Sequence, residues 1–368
     1  MRIAIITLPL HINFGGIMQA YALQTVLVRM GHQVDVLDTY EALRLPIWKM
    51  FFSYAKRMMR KYLQGDDLLV FYEKIWNRER QLLAKNTQTF VDKYIHLKAI
   101  SSLKVLSEQD YQAYVVGSDQ VWRYSYTGSK HIKKYFLSFA KDWQVKRIVY
   151  AASFGIGHWE YPQKTTIYCA LLLNNFDIVS VREDSAVKLC MKYFGIDAIQ
   201  ALDPTLLLDK HDYEQLAISA PKSKGKLMTY ILDPSSSISS LVLNVAERMN
   251  LVPYETSAAT NNRTLSIDQR VQKRVEEWIR GFMDAEYLIT DSFHGCAFAI
   301  IFNVPFAVLG NEERGQIRFF SLLRLFGLEN RMVATVDEIL HLPTIDWEEV
   351  NRKRSEMKVK SLHLFDIL

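Results

Sequence analysis

The chain has 368 residues, 49% hydrophobic and 23% charged, with a formal net charge of +5. That is length for two ordinary domains of a globular protein; the mild positive charge lacks the density of a nucleic-acid-binding surface and leaves anionic small molecules and membrane surfaces open. Cys169, Cys190 and Cys296 are widely spaced in apolar surroundings and read as free buried thiols of a reducing compartment; no run approaches the roughly 18 apolar residues of a membrane span.

The opening "MRIAIITLPL" has no small-residue cleavage pattern, so it reads as a first strand, Ile3 to Leu8, and the expected location is the cytoplasm. The loop "PLHINFGG" follows, then a helix from Ile17 to Met30 stopped by Gly31, then a strand "QVDVLD". This order predicts a βαβ unit with a right-handed crossover. Residues 41–100 break the alternation as a helical, basic insert. Its "RLPIWKMFFSYAKRMMRKYL", residues 44–63, places six basic residues among aromatics and Met with no acidic residue. Such a helix lies on an anionic bilayer surface or packs on its own protein with a solvated basic face, and the sequence leaves both readings open.

Four short apolar runs follow, "AYVVGSD", "RIVYAASFG", "DIVSVRED" and "IQALDPT", each ending in polar or glycine residues. Between 209 and 225 charge, Pro and Gly collect, which reads as a domain boundary. Beyond it the alternation restarts with "KLMTYIL", a helix from Ile238 to Met249, "LVPYE", a helix from Asp268 to Phe282, "AEYLIT", "PFAVLG" and the helical "IRFFSLLRLFG". The expectation is an α/β fold of two Rossmann-like domains, 1–208 and 225–345, facing across a cleft, with a C-terminal helix in 346–368 packing back on the first domain.

In open α/β sheets ligands collect at the carboxyl ends of strands, which selects a few loops. Asn13, Gly15 and Gly16 precede a helix and offer close backbone approach and N–H donors, without a GxGxxG fingerprint or a Walker lysine. Gly117, Ser118 and Asp119 read as a tight turn whose polar groups suit hydroxyls. Arg182 follows "DIVSV" directly; its planar fork suits carboxylate or phosphate, with a salt bridge to Glu183 or Asp184 as the plainer alternative. In "ITDSFHGCAFAII", Asp291 and Ser292 are good N-cap residues, and His294 falls in the first helical turn, where the helix dipole favours a neutral ring able to accept a proton. Arg314 and Arg318 add positive charge before the late helix. With no HExxH, CxxC pair or DxD, metal catalysis is not expected.

The blocks "NFGGIMQAYALQ", "VVGSDQVW", "YAASFG", "SVREDSA", "LDPTLLL", "TDSFHG", "FNVPFAVLG" and "RFFSLLRLFGL" together resemble the polysaccharide pyruvyl transferase family, from the first strand to about residue 330. The resemblance implies a GT-B-like fold and transfer of a pyruvyl group from phosphoenolpyruvate onto a glycan or lipid-linked oligosaccharide, without a cofactor. It implies Arg182 as the donor-binding arginine and His294 as the catalytic histidine, with Asp119 or Asp291 orienting the acceptor hydroxyl or the histidine. Ser292 stands where some members carry a second arginine, so Arg318 or Arg314 would supply that charge. A nucleotide-sugar glycosyltransferase and a non-enzymatic binder of anionic sugars are the competing readings.

Overall fold

The structure, a computed structural model, describes residues 1–39, 42–66, 68–310 and 316–368. Its strands are β1 (Arg2–Ile6), β2 (Gln33–Asp38), β3 (Leu97–Ala99), β4 (Ala113–Val116), β5 (Lys146–Ala152), β6 (Ile178–Val181), β7 (Ile199–Gln200), β8 (Leu227–Tyr230), β9 (Pro253–Glu255), β10 (Tyr287–Thr290), β11 (Phe306–Leu309) and β12 (Met332–Val333). They form two sheets with every pairing parallel, ordered β3-β2-β1-β4-β5-β6-β7 and β12-β11-β10-β8-β9. The α/β architecture of two Rossmann-like halves is therefore present. β1, β4, β8, β10 and β11 are apolar along almost their whole length, as strands covered by helices on both faces must be.

Strand order reverses between β1 and β4 in the first sheet and between β8 and β10 in the second. Crevices open at such switch points, outside the carboxyl ends of the strands. The first helix runs from Phe14 to Arg29, three residues earlier than the apolar period suggests, because Asn13 caps it by accepting from the Gly15 N–H at 3.1 Å. Gly15 and Gly16 are thus its first turn and not a free loop. The Ser292-capped helix Phe293–Phe302 leaves the second switch point; all ten of its residues are buried.

The two halves share one apolar core. Phe14 stacks on Trp278 at 5.4 Å between centroids and lies 6.3 Å from Tyr230, and Tyr213 packs against Phe298 at 4.8 Å. Burying a ring such as Phe14 contributes on the order of 1.5–3 kcal/mol, so these contacts hold the halves in one relative position.

The helix expected from Asp268 to Phe282 is instead two, Ile267–Arg270 and Val275–Asp284. The chain unwinds between them so that Gln272 can fasten three segments: its backbone N–H donates to the Leu83 carbonyl (2.9 Å), its Oε1 accepts from Ala258 N–H (2.9 Å), and its Nε2 donates to the Ile12 carbonyl (3.2 Å). Three such bonds from a buried residue outweigh one interrupted helical turn. At the C-terminus, Asp346 caps the Trp347–Leu362 helix; Ser361 Oγ accepts from Leu202 N–H at 3.1 Å, and Phe365 lies 4.7 Å from Tyr150. Cys169, Cys190 and Cys296 are free and buried.

Candidate active site

Two arms, one from each half, meet at a buried carboxylate. β6 delivers Arg182 and β7, at the edge of the same sheet, delivers Asp203, while the first turn after β10 delivers His294. Asp203 Oδ1 accepts from the Thr205 N–H (3.0 Å) and hydroxyl (2.7 Å). Its Oδ2 accepts from Arg182 Nη1 (2.8 Å) and Ser118 Oγ (3.0 Å), and lies 3.7 Å from His294 Nε2. That last distance is beyond hydrogen-bond range. Burial alone would raise the Asp203 carboxyl pKa; His294, Arg182 and Thr205 together outweigh it and hold the carboxyl well below the usual carboxylate range.

Arg182 is 3% exposed, its guanidinium 4.1 Å above the Phe293 ring and its Nε 3.5 Å from Glu183 Oε1. Burial would lower its pKa, but Glu183, Asp203 and Asp119 overcompensate and keep it charged. Its Nε and Nη2 find no hydrogen-bond partner among the described residues. Buried charged donors without acceptors are costly in a folded protein, and an incoming carboxylate or phosphate would satisfy them. The alternative partner Asp184 is engaged elsewhere, with Arg324 at 2.9 Å.

Arg318 enters from the helix Ile317–Phe326, which is pinned to this region by Ser321 Oγ accepting from Asp184 N–H and Gln200 Nε2, both at 3.0 Å. Burial, and then the charge of Arg182, push the Arg318 pKa down to about 10. The two guanidiniums repel through the same buried region, and Glu183 and Asp119 partly offset that repulsion.

The imidazole of His294 is held against the first helix. A Cβ on Gly15 would fall 2.0 Å from His294 Nδ1, so only glycine lets the helix start and the ring lie together. Gly15→Ala is expected to displace the imidazole by about an ångström and lower turnover on the order of 10²-fold, with circular dichroism unchanged; steady-state rates beside a thermal melt check it. At Gly16 a Cβ would approach Asp119 Oδ2 at 3.4 Å, placing that carboxylate beside the same helix start. Asp119 is buried with φ of 78°, a left-handed conformation uncommon outside glycine, and Asp119 Oδ1 accepts from the Gln120 N–H at 2.8 Å.

Other expected residues make contacts of their own. Both Asp291 oxygens accept backbone N–H groups, from Leu232 (2.6 Å) and Asp233 (3.0 Å), so Asp291 ties the two loops of the second switch point together. The Ser292 hydroxyl accepts from the Gly295 N–H as the helix cap. Gly117 packs against Ile5, Thr7 and Leu23 beneath the first helix. Arg314 falls outside the described residues. Among the described residues no three His, Cys, Asp or Glu side chains gather as a metal site. Asp203 and Phe293 complete the constellation without having been singled out from sequence, and Glu183 is the partner of Arg182 that the plainer alternative named. For Asp203 the signal was available: it follows "IQAL" directly at a strand's carboxyl end, as Arg182 follows "DIVSV".

A family model described as polysaccharide pyruvyl transferase matches residues 13–313, a span holding Arg182, Asp203 and His294. The chain belongs to the polysaccharide pyruvyl transferase family. No curated protein matches it. Among solved structures it is similar to Arabidopsis thaliana UGT89C1 complexed with UDP-L-rhamnose (10% identity, 98% of this chain and 97% of that one, TM-score 0.47). It is also similar to UDP-GlcNAc 2-epimerase from Neisseria meningitidis (8%, 99% and 100%, TM-score 0.44) and to MurG of Acinetobacter baumannii (9%, 98% and 94%, TM-score 0.41). At such identities and scores these likenesses say nothing of chemistry. As a pyruvyl transferase family member the chain is a polysaccharide-related transferase, built of two Rossmann-like halves.

Proposed function

We propose that this family member transfers the pyruvyl group of phosphoenolpyruvate to two hydroxyls of one sugar, forming a cyclic ketal and releasing phosphate. The observation carrying the reading is the convergence of Arg182 and His294, from opposite halves, on Asp203. In this scheme the donor carboxylate or phosphate takes the free N–H groups of Arg182, with Arg318 adding positive charge. A proton delivered to the methylene carbon of the donor makes C2 electrophilic. One sugar hydroxyl adds to C2 and gives up its proton; the C2–O bond to phosphate then breaks, and the second hydroxyl closes the ring with loss of its own proton. Of the two hydroxyl protons, one balances the new methyl hydrogen and one leaves with phosphate, so no oxidant or reductant is needed.

His294 moves these protons, its ring seated against Gly15 of the first helix, while Asp203 holds Arg182 in register. Asp119 is the carboxylate available to position an acceptor hydroxyl at the helix start. Arg182 and His294 are 3% and 6% exposed, and the aromatic core fixes the halves, so the donor reaches them through local side-chain displacement. The acceptor is a glycan, free or lipid-linked, and the reaction belongs in the cytoplasm, where phosphoenolpyruvate is made.

The test is phosphate release from phosphoenolpyruvate across a panel of sugar acceptors, with product mass as second readout. Release that depends on one acceptor, with a product heavier by the pyruvyl ketal, is the expected result. Saturable binding of a nucleoside diphosphate with no phosphate release would instead favour a nucleotide-sugar transferase, and binding of anionic sugars without turnover would favour a non-enzymatic role.

A further inference from the structure

We propose that the helix Ile47–Leu63 is an interfacial anchor that seats the protein on an anionic lipid surface through a stripe formed by Trp48, Phe51, Phe52, Met59, Tyr62 and Leu63. The inward side of this helix is small and already occupied. Tyr54 packs on Phe71 at 5.0 Å, and Arg57 makes two 2.8 Å bonds to Glu73. No residue of the helix is buried, and the stripe is open to solvent: Trp48 is 71% exposed, Phe51 74%, Phe52 73%, Tyr62 75% and Leu63 77%.

At 3.6 residues per turn the stripe covers about 120° of the helix, opposite Tyr54 and Arg57. Lone exposed apolar residues are ordinary, whereas a contiguous band of six with three aromatic types marks a binding face. Its flanks identify the occupant. Lys49 and Lys56 border one edge, Arg60 on the same side is held by Asp66 at 2.7 Å, and residues 44–63 contain no acidic side chain. A second copy laid antiparallel on this face would set lysine against lysine, while anionic headgroups would complement this edge and acyl chains the band beside it. Among the described residues no helix is long and apolar enough to cross a membrane, so seating on a lipid surface is what this helix can do.

The helix is also coupled to the site. Leu43 and Asn77 exchange hydrogen bonds of 3.0 and 2.8 Å, and from the same following helix the Arg80 carbonyl lies 2.8 Å from His11 Nε2. His11 lies two residues before Asn13, at the mouth of the first switch point. The anchor rests on no assumption about the reaction, so its failure and that of the pyruvyl-transfer reading are read separately.

The test is flotation of the full chain with phosphatidylcholine vesicles, with and without about one-third phosphatidylglycerol. Binding to the anionic vesicles alone is expected. Lys49→Gln/Lys56→Gln should weaken it on the order of thirtyfold, and Phe51→Ser/Phe52→Ser should abolish it, with near-ultraviolet circular dichroism unchanged in both. Absence of binding by the parent protein, or binding indifferent to either variant, would overturn the anchor. So would a dimer in sedimentation that the Phe51→Ser/Phe52→Ser variant loses while vesicles are ignored.

Discussion

Replacing His294 with alanine is expected to lower turnover about 10²- to 10⁴-fold, the usual contribution of a positioned acid–base group, and to leave the chain folded. The two halves of this expectation come from different contacts. His294 Nε2 lies 3.7 Å from Asp203 and makes no hydrogen bond among the described residues, so removing the ring strands no buried donor. Asp203 keeps Arg182, Ser118 and Thr205, and the cap of the Phe293–Phe302 helix is Ser292. A purely structural histidine would show the reverse, a lowered thermal midpoint with turnover per folded molecule intact. Phosphate-release kinetics beside a melt separate the two, and a fall in kcat with little change in KM is the signature of proton transfer. An alanine variant with parental kcat would remove His294 from the chemistry.

Asp203→Asn carries the largest expected effect on stability, about 3–5 kcal/mol, because it leaves the buried Arg182 charge without its hydrogen-bonded counterion. Arg182 is fully enclosed, with Glu183 at 3.5 Å as its remaining close carboxylate, so solvent cannot replace the lost partner. Turnover should fall as well, since the same carboxylate sets the position of Arg182. The pH dependence follows from the depressed carboxyl pKa. A carboxyl whose folded pKa lies below its unfolded value near 3.9 contributes stability that is complete above that value and is lost as pH falls toward the folded one. The gap between parent and variant should therefore be full at pH 7 and narrow by roughly 1 kcal/mol by pH 3. Urea midpoints at the two pH values measure it; an equal gap at both would mean that the carboxylate's charge is not what stabilises the fold.

The amphipathic helix Ile47–Leu63 shows where sequence patterning stops. Its basic and aromatic content was plain, but whether the aromatics faced protein or solvent was not, because a helix has two sides and the sequence does not say which one meets a neighbour. Glu73 and Phe71 decide it by holding Arg57 and Tyr54 inward. Arg57 is thereby spent on the protein, although by composition it belongs with the lysines. The split of the helix expected from Asp268 to Phe282 has the same origin. Local propensity allowed a continuous helix, and distant carbonyls at Leu83 and Ile12 drew Gln272 out of it.

By itself the sequence determined the alternation of strands and helices, the division into two parallel-sheet halves, and the loops at strand ends where Arg182 and His294 stand. Those are properties of short-range periodicity and of where an apolar run stops. The tertiary structure alone decided which loops meet. Asp203 and Arg182 leave adjacent strands, whereas His294 comes from the other half and is placed by Gly15 of the first helix, 279 positions earlier in the chain. It also brought the backbone N–H groups of Leu232 and Asp233 to Asp291, a pairing invisible in "TDSFHG". A buried charge takes the partner that packing brings to it, and packing is summed over contacts that no window of sequence contains.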